Sequence, residues 1–145
     1  MGTSVKRAYL DVPIGQIHYR QAGVGKPLLL LHQTATSSEI YEPLMRLLAP
    51  EFKMIAMDTP GFGVSDYPPR PYTIADYAQV AEDFLDALKI PSCIVFGHHT
   101  GASIACELAA RAPSRVEKLI LSGAACFDAS EGKARLERIP RMVLQ

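Results

Sequence analysis

CIVFGHHTGASIACELAAR, running from Cys93 to Arg111, holds the turn from which the fold can be read. Its opening residues, Cys93-Ile94-Val95-Phe96, form a short unbroken apolar run, the pattern of a strand covered on both faces. Its second part, Thr100 to Arg111, is rich in small residues, has helical spacing and stops before Pro113. Between the two lie Gly97 and Gly101, four residues apart, with His99 midway. A strand that passes through a glycine pair straight into a helix turns sharply. What an imidazole does at the apex of that turn is the functional question.

The alternation of apolar run and helical pattern continues on either side. Leu28-Leu29-Leu30-Leu31, Met54-Ile55-Ala56-Met57 and Leu119-Ile120-Leu121 are further buried-strand candidates, so a parallel sheet is indicated. From Ile74 to Leu88 the apolar residues Ile74, Tyr77, Ala78, Ala81, Leu85 and Leu88 share one helical face, and Thr73 with Asp76 supplies a capping box. Thr36 with Glu39 predicts a second such start for a helix reaching Leu48, with Pro43 able to move that start to Glu42. Ala8–Val12 and Gln16–Arg20 alternate apolar with polar around Pro13-Ile14-Gly15, the pattern of an antiparallel hairpin wetted on one side. Helices alternating with buried strands define an α/β protein, a mostly parallel sheet with an antiparallel hairpin at its amino-terminal end.

With 145 residues the chain holds one domain, and 48% hydrophobic residues with zero formal net charge give no electrostatic reason to expect nucleic acid or an anionic membrane as a partner. No apolar run is long enough to span a bilayer, and the first residues lack the apolar core of a secretory signal. Gly2 resembles a myristoylation start, but Lys6 stands where that motif takes Ser or Thr. Cys93, Cys106 and Cys126 are odd in number and without metal-type spacing, so buried thiols in a reducing, cytoplasmic compartment are expected. Four histidines and scattered carboxylates form no ligand pattern, so neither metal nor organic cofactor is expected.

Three loops follow successive strands at their carboxyl ends, where open α/β sheets keep their ligand crevices: His32-Gln33-Thr34, Asp58 to Asp66, and the His99 turn. Their order, "LLLLHQT", "AMDTPGFGVSD" and "FGHHTGASIACELAARAPSRVEKLIL", resembles the amino-terminal half of the α/β-hydrolase superfamily. The likeness is to the branch of epoxide hydrolases, haloalkane dehalogenases and small esterases, and it covers residues 8 to 127. It implies a three-layer sandwich of about six strands lacking the last two. It also implies a nucleophile elbow with His99 where the family carries Ser, Cys or Asp. By the same resemblance the oxyanion hole would use the N–H groups of Thr100 and Thr34, with Gln33 and His32 lining the site and Gln33 standing where the family has Gly. Asp128 falls near the point where some dehalogenase-like members place the triad acid. The base histidine would lie beyond this sequence.

His99 admits three readings. It acts as nucleophile or general base, it positions substrate for other chemistry, or it is a remnant in a non-catalytic relative. A helix N-terminus disfavours imidazolium, so a neutral ring is expected there. Thr100 and Ser103 read as hydroxyls serving backbone groups of their own helix, and His98 as a packing residue. His32 reads as a loop-orienting residue and His18 as an unremarked surface histidine. The Asp58 carboxylate is expected to accept N–H groups of its own turn. A nucleotide-binding domain is disfavoured because the first strand–helix loop lacks Gly-x-Gly-x-x-Gly.

The expectation is therefore a cofactor-independent hydrolase for a small ester-like or apolar organic substrate, with a binding pseudoenzyme of the same fold as the alternative. Residues 1–127 read as the core and 128–145 as the start of a truncated cap or linker helix. This chain alone is expected to be inactive, and its unpaired apolar edge at Lys118–Ser122 to promote self-association.

Overall fold

The computed structural model describes residues 4–124. Asp128, Cys126 and the predicted helix over 128–145 lie outside the described residues. Six strands form one sheet: β1 (Lys6–Val12), β2 (Gly15–Ala22), β3 (Lys26–Leu31), β4 (Phe52–Met57), β5 (Cys93–His98) and β6 (Val116–Ser122), in the spatial order β1-β2-β4-β3-β5-β6. β1, β2 and β4 run antiparallel to one another in turn, while β4, β3, β5 and β6 are mutually parallel. The described residues also form three α-helices packed on the sheet: α1 (Glu42–Leu48), α2 (Ile74–Ala87) and α3 (Thr100–Arg111).

The apolar runs are buried on both faces because successive side chains alternate between two cores. Leu29 and Leu31, with Ile55, Met57 and Val95, meet Phe84 and Leu85 of α2 and Ile104 and Leu108 of α3. Leu28 and Leu30, with Met54, Ala56 and Ile94, meet Tyr41 and Met45 on the α1 side. Thus α1 covers one face and α2 with α3 the other.

The capping box of α2 forms as its sequence predicts, with the Thr73 side chain accepting from Asp76 N–H and the Asp76 carboxylate reaching back to Thr73 N–H. The start of α1 differs from expectation. A 3-10 turn over Ser38–Tyr41 precedes it, and Pro43 sits in the first turn of the α-helix itself. Ser37, not Thr36, caps that turn, because the Thr36 hydroxyl is committed to the Gln33 carbonyl at 2.8 Å. Both hairpin strands extend beyond the predicted ranges, since register pairs continue from Lys6↔Gln21 to Val12↔Gly15.

Three burial expectations are corrected. Cys106 is exposed, because α3 buries Gly101, Ala102, Ile104, Ala105 and Leu108 and leaves position 106 on its outer face. His18 is buried, at 4% exposure, under the loop that follows β4. Among the described residues β6 is not covered on both faces: Leu119, Ile120 and Leu121 are 38%, 45% and 42% exposed. No helix among the described residues is long and apolar enough to cross a membrane.

Candidate functional site

β3 is flanked by β4 on one side and β5 on the other, so the strand order reverses at β3. The helix after β3 lies on one face of the sheet and the helix after β5 on the other. At such a switch point the two outgoing loops splay apart and leave a crevice at the carboxyl ends of the strands. His32-Gln33-Thr34 and His98-His99-Thr100 border that crevice. Five of the expected residues, His32, Gln33, Thr34, His99 and Thr100, lie on these two loops, and the topology sets the loops side by side.

The turn between β5 and α3 is tight in every direction. His99 has φ 49° and ψ −112°, a backbone conformation costly for any residue with a side chain. Neither flanking glycine can be enlarged. A Cβ on Gly97 would lie 2.3 Å from the Gly101 carbonyl oxygen, and one on Gly101 would lie 2.0 Å from that of Leu31. The N-terminus of α3 therefore rests directly on the end of β3, which explains why this helix begins with small residues.

His99 is exposed at the apex. Its N–H donates to the Ser122 carbonyl at 2.9 Å, and its ring lies about 3.1 Å from where a Gly123 Cβ would be, so the end of β6 forms one wall beside it. The His98 ring meets it edge-on at 4.5 Å between centroids, and His98 Nδ1 lies 3.1 Å from the Ser122 hydroxyl and 3.2 Å from its carbonyl oxygen. Ser122 and Gly123 were not singled out by sequence. The available signal was topological, since a parallel strand next to β5 must end beside the same turn.

His32 is 2% exposed and joins two loops. Its Nδ1–H donates to the Gln33 carbonyl at 2.7 Å, and its Nε2 accepts the Thr59 N–H at 3.0 Å. Burial holds this ring below the ordinary imidazole pKa, offset in part by the Gln33 carbonyl and by Asp58. Gln33 itself has no left-handed backbone; the positive φ of this loop falls at Ala35, at 65°. That displacement is how a side chain is accommodated at position 33.

Thr100 departs from expectation. Its hydroxyl does not serve its own helix but crosses the crevice, lying 2.6 Å from the Thr34 hydroxyl and accepting the Thr34 N–H at 3.4 Å. The unusual ψ at His99 redirects the chain at residue 100 and turns its side chain toward β3. The Thr100 N–H has no acceptor among the described residues.

Asp58 is 1% exposed. It accepts the Ser38 N–H at 2.7 Å, the Val64 N–H at 3.1 Å and the His18 Nδ1–H at 2.9 Å. Burial pushes this carboxyl up, but the hydrogen bonds from Ser38, Val64 and His18 outweigh it and hold it below the usual carboxylate range. These bonds tie the end of β4 to β2, to the 3-10 turn before α1 and to its own loop. Among the described residues no group of three or more His, Cys, Asp or Glu converges as metal ligands do. A hollow lined by Asp86, Lys89, Ile90, Pro91 and Arg115 lies at the amino end of β5, the opposite end from His99. Its Arg115 is already bonded to Asp86 and the Ile90 carbonyl.

Residues 26–140 match the model of the alpha/beta hydrolase fold family, and the chain belongs to that family. A haloalkane dehalogenase of Mesorhizobium japonicum is 34% identical over 117 residues, 80% of this chain and 38% of the relative. Among solved structures, the N-acyl homoserine lactonase AidH bound to N-hexanoyl homoserine superposes with a TM-score of 0.79 at 30% identity, covering 83% of this chain and 46% of that one. The epoxide hydrolase CorEH gives 0.81 at 25% identity, covering 88% and 48%. The chain thus spans well under two thirds of the length of the relatives it matches.

Proposed function

We propose that the intact protein is an α/β-hydrolase-fold hydrolase for a small ester-like or apolar organic substrate, and that the β5–α3 turn is its nucleophile elbow, with His99 in the nucleophile's place. The observation that carries this reading is the His99 backbone, φ 49° and ψ −112°, held at the switch point between two glycines that tolerate no Cβ. Strain of this kind persists where the surrounding structure enforces it, and it clusters at working sites.

In the proposed mechanism a substrate carbonyl binds at the switch point with its oxygen toward the loop after β3 and the first N–H of α3. His99 then either attacks the carbonyl carbon or takes a proton from a water that does so. The carbonyl π electrons move onto oxygen, where fixed donors stabilise the charge. On collapse the C=O reforms, the ester C–O bond breaks and the leaving alkoxide takes a proton from the acid–base set. Where His99 attacked, water then cleaves the acyl-histidine bond to release the acid. Gln33 and His32 hold the Thr34 loop in place. Asp128 and a histidine beyond this sequence would complete the acid–base set. No metal or organic cofactor is assigned a role, and free thiols at Cys93 and Cys106 favour a reducing, cytoplasmic setting.

A binding pseudoenzyme is favoured by one observation: the apex carries no hydroxyl, thiol or carboxylate. The test is a panel of nitrophenyl esters and epoxides assayed on the protein as isolated from its source, and on its His99→Ala variant. Turnover above the buffer blank that falls at least about a hundredfold in the variant is expected, the usual scale for a positioned acid–base group. Equal rates for both proteins at the blank level would leave the binder.

A further inference from the structure

The Thr34 N–H, one of the two donors assigned above to the substrate oxygen, is already directed at another acceptor. It points at the Thr100 hydroxyl oxygen, 3.4 Å away, while the two threonine hydroxyls lie 2.6 Å apart, at the short end of the O–H···O range. Among the described residues neither hydroxyl has another partner. Two hydroxyls carry two hydrogens, and the bond between them uses one. Whichever threonine donates, one O–H remains unspent.

That remaining hydrogen is a good donor. The Thr100 oxygen receives the Thr34 N–H, and chains of hydrogen bonds polarise one another, so the terminal O–H is strengthened. It is also reachable, because Thr34 is exposed and Thr100 only half-buried. And it lies at the crevice, since the pair bridges the ends of β3 and β5 directly beside the His99 apex.

We propose that the Thr34–Thr100 hydroxyl pair, rather than the Thr34 N–H alone, presents the hydrogen-bond donor to the substrate, so that the site takes carbonyl compounds, esters and lactones, whose oxygen is a strong acceptor. This rests on the reading of the β5–α3 turn as a reaction centre. A hydroxyl pair that merely clamps two loops would contribute to stability and leave ligand affinity untouched. The two roles therefore separate by experiment.

The probe is 2,2,2-trifluoroacetophenone, an electrophilic ketone followed by its fluorine resonance, with amide shifts of the protein recorded in the same titration. Thr34→Val and Thr100→Val each remove a hydroxyl while keeping the backbone N–H, and Thr100→Ser keeps the hydroxyl. The expected result is about fivefold weaker binding in the variant that carries both substitutions and so has neither hydroxyl hydrogen, the scale of one neutral hydrogen bond. Each single Val variant keeps one O–H but loses the bond that orients it, so its affinity should fall between those of the parent and the double variant. Thr100→Ser should bind within about twofold of the parent, on the same scale. Where Val at position 100 does not fold, Thr34→Val combined with Thr100→Ala removes the same two hydroxyls. If the ketone shifts the Thr34 and Thr100 amides but the double variant binds it as well as the parent, or better, the hydroxyl role is overturned and the reaction-centre reading stands. If the ketone leaves the residue 97–101 amides of the parent unshifted, both readings fall together.

Discussion

His99 and its two glycines concentrate the energetics of the turn into three residues. A non-glycine residue at φ 49° and ψ −112° costs on the order of 1–3 kcal/mol, and glycine at the same place largely escapes that cost. His99→Gly is therefore expected to raise stability by about 1 kcal/mol in thermal or urea unfolding while removing the proposed function. A lower melting temperature in that variant would show that the turn is not strained. Gly101→Ala should behave oppositely. Its Cβ would sit 2.0 Å from the Leu31 carbonyl oxygen, and backbone on a central strand cannot yield as a side chain can. A loss of about 3 kcal/mol or more is expected from urea unfolding of that variant.

At the scale of elements, the loop after β4 acts as a fastener. Asp58, Ser65 and Asp66 bond back to β2, with Asp66 N–H donating to the Gln16 carbonyl and His18 N–H to the Ser65 hydroxyl, both at 2.9 Å. Gly63, at φ 56°, lets the loop curl over the Asp58 carboxylate, where a Cβ would lie 1.9 Å from Oδ2. The folded-state pKa of Asp58 is lowered relative to the unfolded chain, so its contribution to stability is complete above the ordinary value of about 3.9 and is lost as pH falls through the lower folded value. Asp58→Asn should accordingly flatten the acid limb of a stability–pH curve as well as lowering stability at neutral pH. An acid limb as steep as the parent's would assign that sensitivity to other carboxylates. For α2, loss of the cap in Thr73→Ala should cost about 1 kcal/mol in urea unfolding.

Across the whole molecule, the two outer strands manage their edges differently. β1 ends the sheet and carries Lys6, Arg7 and Asp11, and charges on an edge resist pairing. β6 pairs only with β5 among the described residues and exposes Leu119, Ile120 and Leu121. An apolar edge of that kind is a template for another strand. Self-association is expected as a rise in sedimentation coefficient with concentration, reduced by Ile120→Lys. A sedimentation coefficient independent of concentration in the parent would show that β6 is not used in this way.

The amino-acid sequence determined by itself the features that depend on local pattern. The unbroken apolar runs specify strands with two buried faces, the Thr73–Asp76 pair specifies where α2 starts, and Gly97 with Gly101 specifies a close turn, because each is a constraint of backbone sterics or side-chain periodicity within a few residues. The order of strands and loops was also enough to place His32, Gln33, Thr34, His99 and Thr100 near one another. What tertiary structure alone decided depends on which distant segment arrives at a given surface. His18 is buried because the Asp58 loop folds over β2 from 40 residues away. Cys106 is exposed because α3 rotates its glycine and alanine face onto β3. The Thr100 hydroxyl crosses to Thr34, 66 residues distant in the chain, because a single strained residue reorients the backbone ahead of it. Periodicity specifies which residues share a face; only the packed chain specifies what that face meets.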